Sequence, residues 1–243
     1  MRRFGLLGKS IDYSFSRKYF SEKFNNESID AIYQNFDIPD IAEFANILKN
    51  TPQINGLNVT IPYKEAIIPY LDDLDEHAEA IKAVNTIKIE KDGSLTGYNT
   101  DYWGFMEAIK PHLLPKHKQA LILGTGGASK AIAYSLDLLG IDYQFVSRNP
   151  GEDQISYSSL NEEILQQHLL LINCTPLGTF PNTDEHPSIP IDLITENHLI
   201  FDLIYNPSET KLMSLAKEKG AASLNGYRML ELQAEKAWEI WNS

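Results

Sequence analysis

The sequence predicts an α/β protein built from two domains, each with an open sheet. Short segments rich in β-branched and aromatic residues alternate with segments whose apolar residues recur at helical spacing. A strand, a glycine-rich turn and a helix follow one another near the middle of the chain. A segment flanked by Pro111 and Pro115 precedes this unit. For 243 residues, these three observations favour two small domains over one large domain.

The first half of the chain contains the elements of one α/β unit. Strands are predicted over 4–8, 31–38 and 57–61, and helices over 17–24, 40–49, 64–82 and 101–109. The helix over 64–82 is expected to break at Pro69. Lys91-Asp92-Gly93 separates two further strand-like segments, 86–90 and 94–98, and this spacing predicts a hairpin.

The second half begins with a strand over 119–123, a helix over 129–139 and a strand over 143–147. Continuous apolar runs over 169–173 and 199–203 are typical of buried parallel strands. The last helix, predicted over 229–241, can belong to either domain on its pattern alone.

Composition excludes several classes of function. Hydrophobic residues make up 43% of the chain, so a packed core is expected rather than disorder. The net charge of -12 disfavours nucleic acid and anionic membranes as partners. The apolar runs are too short for a signal peptide or for a membrane span, which needs about 18 residues. The lone cysteine, Cys174, fits a reducing compartment and is expected to be a small buried residue. A cytoplasmic enzyme without a metal site is therefore expected, since the six histidines do not cluster at ligand spacing.

The strongest local signal is a glycine turn between a buried strand and a helix. The turn contains Gly124, Gly126, Gly127 and Ala128, and the third small position is Ser129. Glycines let the backbone approach a pyrophosphate, and the helix N-terminus stabilises its charge. The context predicts a Rossmann-type dinucleotide site, with a plain strand–helix turn as the alternative.

The end of the next strand bears on which cofactor is used. NAD enzymes usually place an acidic residue there to hold the ribose 2′-hydroxyl. Here Ser147 ends the strand and Arg148 follows it, and both suit a 2′-phosphate. The residues therefore favour NADP. The alternative is that Arg148 is an ordinary surface arginine.

Polar residues in the first half lie where open α/β sheets place their active sites. Ser14 and Ser16 precede the first helix, where they would bind a carboxylate, or Ser16 would simply cap the helix. Lys64 lies at the start of a predicted helix, where it opposes the helix dipole. Asp101 would cap the helix that follows it or, with Lys64, hydrogen-bond the oxygen of a ketone under reduction.

Along nearly its whole length the sequence resembles the shikimate dehydrogenase family. The matching stretches, in family order, are Ser14-x-Ser16, Asn58-Val59-Thr60-x-Pro62-x-Lys64, Ala83-Val84-Asn85-Thr86, Asp92-Gly93-x-Leu95-x-Gly97-x-Asn99-Thr100-Asp101, Gly124-x-Gly126-Gly127-Ala128, Asp202-Leu203-x-Tyr205-Asn206-Pro207-x-x-Thr210 and Asn225-Gly226-Tyr227-x-Met229-Leu230-x-x-Gln233. Together these stretches are specific to the family, although no single one is.

The resemblance implies reversible, NADP-linked reduction of 3-dehydroshikimate to shikimate, a step towards chorismate and the aromatic amino acids. It implies Lys64 and Asp101 as catalytic residues and Gly226 and Met229 as neighbours of the nicotinamide. It implies substrate contacts from Ser14, Ser16, Thr60, Asn85, Tyr205 and Gln233.

The resemblance also implies a domain arrangement. A substrate-binding domain over 1–101 would be joined by the last helix, 226–243, and an NADP-binding Rossmann domain would cover 102–225. The expected partner is the small-molecule substrate, and neither nucleic acid nor a membrane is expected to bind. The protein is expected to be a monomer or a homodimer.

Two departures from the family pattern stand out. Tyr13 and Arg17 replace a usual histidine and proline around the two serines, and Glu152 and Asp153 follow Arg148 where a second arginine is common. Two alternative functions remain at this point. One is a quinate/shikimate dehydrogenase that uses NAD, and the other is a non-catalytic NADP-binding regulator with the same fold.

Overall fold

A computed structural model describes residues 1–11 and 14–243. The chain divides into two compact units, of which the first combines Met1–Trp103 with Leu230–Ser243 and the second is Gly104–Met229. The boundaries expected from the sequence lie at 101 and 226, close to these. The expectation about Tyr13 falls outside the described residues.

The first unit is built on a mixed sheet of six strands. These are β1 (Arg2–Gly8), β2 (Ala31–Asp37), β3 (Ile54–Val59), β4 (Asp73–Leu74), β5 (Thr86–Ile89) and β6 (Leu95–Tyr98). Their order is β2-β1-β3-β5-β6-β4. β1 runs parallel to β2 and β3, whereas β5 runs antiparallel to β3 and β6. The carboxyl ends of β1 and β3 therefore lie beside the start of β5 and the end of β6.

Three helices accompany these strands: α1 (Phe15–Asn26), α2 (Phe44–Asn50) and α3 (Glu76–Ile81). A fourth, α4 (Asp101–Ile109), begins in this unit and continues into the second unit from Gly104. A single 3₁₀ turn precedes α2, and α4 has the predicted bounds. The hairpin of β5 and β6 also forms as predicted.

The prediction of a helix over 64–82 is wrong. The segment forms turns, a 3₁₀ turn over Ile68–Tyr70 that contains the proline, and then β4, which pairs with β6. A new helix, α3, starts only after Asp75, whose carboxylate accepts a hydrogen bond from the Ala78 N–H. Lys64 consequently lies in a turn and not at a helix start, so no helix dipole opposes its charge there.

The second unit has a fully parallel sheet. Its strands are β7 (Gln119–Leu123), β8 (Asp142–Ser147), β9 (Gln154–Ser156), β10 (Leu170–Asn173), β11 (Leu199–Asp202) and β12 (Ala222–Asn225). The order β12-β11-β10-β7-β8-β9, with every neighbouring pair parallel, is the doubly wound order of dinucleotide-binding domains. The topological switch point lies between β7 and β10.

The helices of this unit are α5 (Gly127–Leu139), α6 (Glu162–Gln167) and α7 (Lys211–Glu218). The sequence prediction misses α6, α7, β9 and β12. The two strands are short edge strands without fully buried residues, so they lack the continuous apolar run that marks β10 and β11.

The last helix, α8 (Tyr227–Asn242), packs mostly in the first unit, where its residues from Leu230 onward belong. Ala237 and Trp241 join a core with Phe4 of β1. The indole N–H of Trp241 donates a 3.0 Å hydrogen bond to the carbonyl of Ile87 in β5. A Cβ atom at Gly56 of β3 would overlap this indole ring, so glycine is required there for the close approach. Within the described residues, no helix combines the length and hydrophobicity needed to cross a membrane.

We expect Gly56→Ala to destabilise the first unit by about 1–3 kcal/mol, since overpacking of a core costs that much. All three tryptophans, at 103, 238 and 241, lie in this unit. A thermal melt followed by tryptophan fluorescence therefore reports its unfolding. Gly151→Ala is the control, because its Cβ would make only ordinary contacts, the nearest at 3.7 Å. An unchanged melting temperature for Gly56→Ala would contradict the packing described for α8.

Candidate active site

A buried ion pair joins two of the predicted site residues. The Nζ atom of Lys64 lies 2.6 Å from Oδ2 of Asp101, and the two side chains are only 18% and 6% exposed. The carbonyl of Lys64 accepts a 2.7 Å hydrogen bond from the Val84 N–H, which ties its turn to the start of β5. A short, charge-assisted contact that is shielded from water holds both groups in one geometry.

The Asp101 side chain does not cap α4, although the sequence allowed that role. Asp101 is the first residue of α4, and Asn99 accepts hydrogen bonds from the N–H groups of Asp101 and Tyr102 at 3.0 and 3.4 Å. The Asn99 amide in turn donates to the carbonyl of Ala83 at 2.8 Å. Asn99 thus acts as the cap, and the Asp101 carboxylate is available to Lys64.

Asn85 and Gln233 meet although 148 residues separate them. The Asn85 side chain accepts a 2.7 Å hydrogen bond from the Thr100 N–H. Its Nδ2 donates to Thr100 Oγ1 at 3.1 Å and to Gln233 Oε1 at 3.2 Å. Because Asp101 follows Thr100, the same contacts place the amide pair beside the ion pair. The first unit therefore brings Lys64, Asp101, Asn85 and Gln233 together.

The capping of the first helix differs from the capping by Ser16 that the sequence offered as an alternative. Ser14, and not Ser16, caps α1, because its Oγ accepts a 3.2 Å hydrogen bond from the Arg17 N–H. Ser16 lies in the first turn of the helix and makes a side-chain hydrogen bond to Tyr33. Burial raises the pKa of Tyr33, and the bond from Ser16 opposes that shift only in part. Thr60 follows β3, and its N–H donates to the carbonyl of Leu7 at 2.9 Å.

In the second unit the glycine turn connects β7 to α5. Gly124 has a φ of +99°, a conformation that favours glycine, and Gly126 is the N-cap of α5. An added Cβ at Gly126 or Gly127 would meet no heavy atom within 4 Å, so the space beside the loop is open. Ala128 is partly exposed, while the Ser129 hydroxyl donates to the Gly126 carbonyl at 2.6 Å. An open glycine loop at the start of a 13-residue helix fits a pyrophosphate.

Ser147 and Arg148 lie at the carboxyl end of β8, as predicted. The Ser147 hydroxyl accepts a 3.2 Å hydrogen bond from the Asn149 N–H. Arg148 is exposed, and its charge lies close enough to Tyr157 to oppose the rise in the pKa of that phenol caused by burial. This end of the sheet thus carries an exposed cation next to a hydroxyl, the groups that a 2′-phosphate requires.

Three other predicted residues lie near the end of the second unit. A Cβ at Gly226 would overlap the carbonyl of Leu203, so close backbone packing by itself requires this glycine. Met229 is 6% exposed. Tyr205 is 37% exposed, and partial burial raises the pKa of its phenol. The roles expected for these three residues continue to rest on the family resemblance.

A buried carboxylate that sequence reasoning did not select stands behind the glycine loop. Asp202, at the end of β11, is fully buried and accepts hydrogen bonds from the Asn173 amide, the Ile204 N–H and the Thr210 hydroxyl at 3.0, 3.1 and 2.7 Å. Burial raises its pKa to about 6 against the effect of these bonds. Asn173 in turn holds Thr175, whose methyl group would lie 3.0 Å from a Cβ at Gly124.

The lone cysteine lies in the same region. Cys174 follows β10 and is partly buried, and burial raises the pKa of its thiol, with a further contribution from the charge of Asp202.

Comparison with known proteins identifies the family. The family model described as the shikimate dehydrogenase substrate binding domain matches residues 6–87. A shikimate dehydrogenase (NADP(+)) of Clostridium botulinum is 39% identical over 98% of this chain and 95% of its own length. The chain belongs to the shikimate dehydrogenase family.

Solved structures of shikimate dehydrogenases agree with this. The shikimate 5-dehydrogenase of Thermus thermophilus, solved in complex with NADP(H) and shikimate, is 30% identical, with a TM-score of 0.88 over 99% of this chain and 93% of its own. A quinate dehydrogenase of Corynebacterium glutamicum, solved with NAD, is 26% identical, with a TM-score of 0.87 over 99% of this chain and 93% of its own. Quinate enzymes thus share the fold of the shikimate dehydrogenases, so fold likeness does not distinguish the two substrates.

We expect Arg148→Ala to weaken NADP binding about 10- to 150-fold, because a hydrogen-bonded charge is worth about 1.5–3 kcal/mol. NAD lacks the 2′-phosphate, so its Michaelis constant should hardly change. The measurement is the pair of cofactor Michaelis constants for wild type and variant. Lys118→Ala is the control, since this exposed lysine precedes β7 at the opposite end of the sheet. A parallel loss for NADP and NAD would make Arg148 a structural residue.

Proposed function

We propose that this protein catalyses the reversible, NADP-linked reduction of 3-dehydroshikimate to shikimate. The observation that carries the proposal is the buried Lys64–Asp101 ion pair beside the Asn85–Gln233 amides in a member of the shikimate dehydrogenase family. A cofactor-binding regulator has no need of a desolvated proton-transfer pair, and the pair therefore favours an enzyme.

The proton step falls to Lys64. When bound, NADPH supplies the hydride that reduces the ketone carbon. The Lys64 ammonium donates a proton to the oxygen of that carbon as the alkoxide develops, and it accepts the proton in the reverse direction. Asp101, 2.6 Å away, fixes the position of the ammonium and balances its charge. Because both side chains are largely shielded from water, their interaction with the reacting oxygen is stronger than it would be in solution.

The remaining predicted residues of the first unit are assigned to the substrate. Ser14 and Ser16 at the start of α1 receive the carboxylate, where backbone N–H groups and the helix dipole also favour an anion. Thr60, Asn85 and Gln233 receive the hydroxyl groups. Tyr205 of the second unit is assigned to the substrate as well, on the family resemblance alone.

The cofactor is assigned to the second unit. The open loop of Gly124, Gly126, Gly127 and Ala128 receives the pyrophosphate, and Ser147 and Arg148 receive the 2′-phosphate. Gly226 and Met229 are assigned to the nicotinamide on the family resemblance alone, and close packing against Leu203 accounts for Gly226 independently.

The setting proposed for the enzyme is the cytoplasm, as a monomer or homodimer that binds no nucleic acid. The net charge of -12 and the single cysteine support this assignment.

The test of the proposed function is a spectrophotometric assay of NAD(P)H formation with shikimate or quinate and with NADP or NAD. We expect the highest kcat/KM with shikimate and NADP. A preference for quinate with NAD would assign the protein to the quinate branch of the fold. Tight NADP binding without turnover of either acid would indicate a regulator.

We expect Lys64→Ala to lower kcat about 10²- to 10⁴-fold, the usual value of general acid–base assistance. The Michaelis constant for shikimate should change much less, since the proposed substrate contacts come from other residues. Lys91→Ala, which removes an exposed lysine of the β5–β6 turn, is the control and should keep full turnover. More than half of the wild-type turnover in Lys64→Ala would exclude Lys64 as the proton donor.

Ser14 has both a capping and a proposed binding role, and two substitutions separate them. Asp and Asn are N-caps as good as Ser, so both variants should keep α1 intact. We expect Ser14→Asp to raise the Michaelis constant for shikimate at least tenfold more than Ser14→Asn, because a second carboxylate repels the substrate, and about 1.4 kcal/mol suffices for that factor. Equal Michaelis constants for shikimate in the two variants would leave capping as the only role of Ser14.

A further inference from the structure

A chain of hydrogen bonds runs through the first unit beneath the candidate substrate residues. The Tyr33 phenol donates to Asn58 Oδ1 at 2.8 Å, and Asn58 Nδ2 donates to Thr86 Oγ1 at 3.2 Å. The Thr86 hydroxyl donates to Asn85 Oδ1 at 3.1 Å, and Asn85 Nδ2 donates to Gln233 Oε1 at 3.2 Å. Every bond thus points in the same direction, from β2 across β3 and β5 to α8.

Backbone groups fix this direction. The two ends of an amide side chain are normally assigned from its hydrogen bonds, because they look alike in electron density. Asn58 Nδ2, however, also contacts the carbonyl of Asn85 at 3.3 Å, and a carbonyl can only accept. Asn85 Oδ1 contacts the Thr100 N–H at 2.7 Å, and an N–H can only donate. Neither amide can therefore turn over without placing like groups against each other.

The orientation of Gln233 follows from that of Asn85. Both hydrogens of Asn85 Nδ2 are used, one by Thr100 Oγ1 and one by Gln233 Oε1. Gln233 must present its oxygen to Asn85, so its Nε2 group faces away from Asn85. The Nε2 group can only donate a hydrogen bond to a ligand.

We propose that Tyr33, Asn58 and Thr86 are positioning residues: together with the Thr100 N–H they hold the Asn85 amide in place, and through it they keep Gln233 a hydrogen-bond donor toward the substrate. The inference rests on the proposed function, in which Gln233 contacts a substrate oxygen. A donor suits the hydroxyl groups assigned to Gln233, because a hydroxyl oxygen accepts a hydrogen bond whichever way its own O–H points. With its amide reversed, Gln233 would bind only a hydroxyl group.

Because the hydrogen-bonded side chains are buried, the loss of one bond costs free energy that water does not restore. Thr86 is 0% exposed and Tyr33 is 7% exposed, so water does not readily replace a lost partner. An unpaired polar group at such depth is expensive. Without the Thr86 hydroxyl, Asn58 Nδ2 loses an acceptor and Asn85 Oδ1 loses one of its donors, and the restraint on the Asn85 amide weakens.

The experiment compares Thr86→Val, which removes only the hydroxyl, with Thr86→Ser, which keeps the hydroxyl and removes a buried methyl group. We expect Thr86→Val to raise the Michaelis constant for shikimate about 5- to 10-fold, a factor typical of one buried hydrogen bond. The Michaelis constant for NADP should stay within about twofold of wild type, because Thr86 is not among the residues assigned to the cofactor. Thr86→Ser should restore the wild-type value for shikimate.

A role in packing alone predicts the reverse order, because Thr86→Ser leaves a small cavity and Thr86→Val does not. Equal impairment of both variants, or a normal Michaelis constant for shikimate in Thr86→Val, would overturn the proposal. If Thr86→Val fails to fold, as judged by circular dichroism, Asn58→Leu breaks the chain at the preceding residue with a side chain of similar size and should raise the same constant. Absence of shikimate turnover in wild type would instead overturn the proposed function.

Discussion

The hydrogen bond from the Thr100 N–H to the Asn85 side chain is the contact on which the arrangement of the first unit's polar groups depends. Asn85 precedes β5 and Thr100 follows β6, so the bond closes the open end of the hairpin. It also places Asp101, the next residue, within 2.6 Å of Lys64. The bond uses a backbone donor that cannot change its character, and the orientations of the Asn85 and Gln233 amides follow from it.

The sequence predicts correctly those elements that depend only on residues close together in the chain. The strand of β7, its glycine turn and α5 were predicted because apolar periodicity and glycines lie in one continuous segment. The segment over 64–82 was mispredicted because its apolar residues resemble a helix, while strand pairing and the Asp75 cap divide it. That pairing involves β6, more than 20 residues away, and periodicity carries no information about it.

The candidate site was predicted only in part, for a similar reason. Lys64, Asp101 and Asn85 stand out as polar groups at strand ends, but nothing local indicates that Gln233 reaches Asn85. The family resemblance supplied that residue. Sequence reasoning does not single out Asn58, Thr86 and Asp202, although each lies in a matching motif. The role of a buried polar residue depends on its hydrogen-bond partners, and these are known only from the structure.

The packing of α8 affects the order in which the two units can complete their folding. The residues that complete the aromatic core around Phe4, among them Ala237 and Trp241, follow the entire second unit in the chain. During synthesis the parallel sheet can form as soon as it leaves the ribosome, since all of its strands lie within Gly104–Met229. The first unit must wait with an open apolar face, although it was synthesised first. Until then Phe4, Phe20 and Phe24 lack the tryptophan rings of α8 against which they pack.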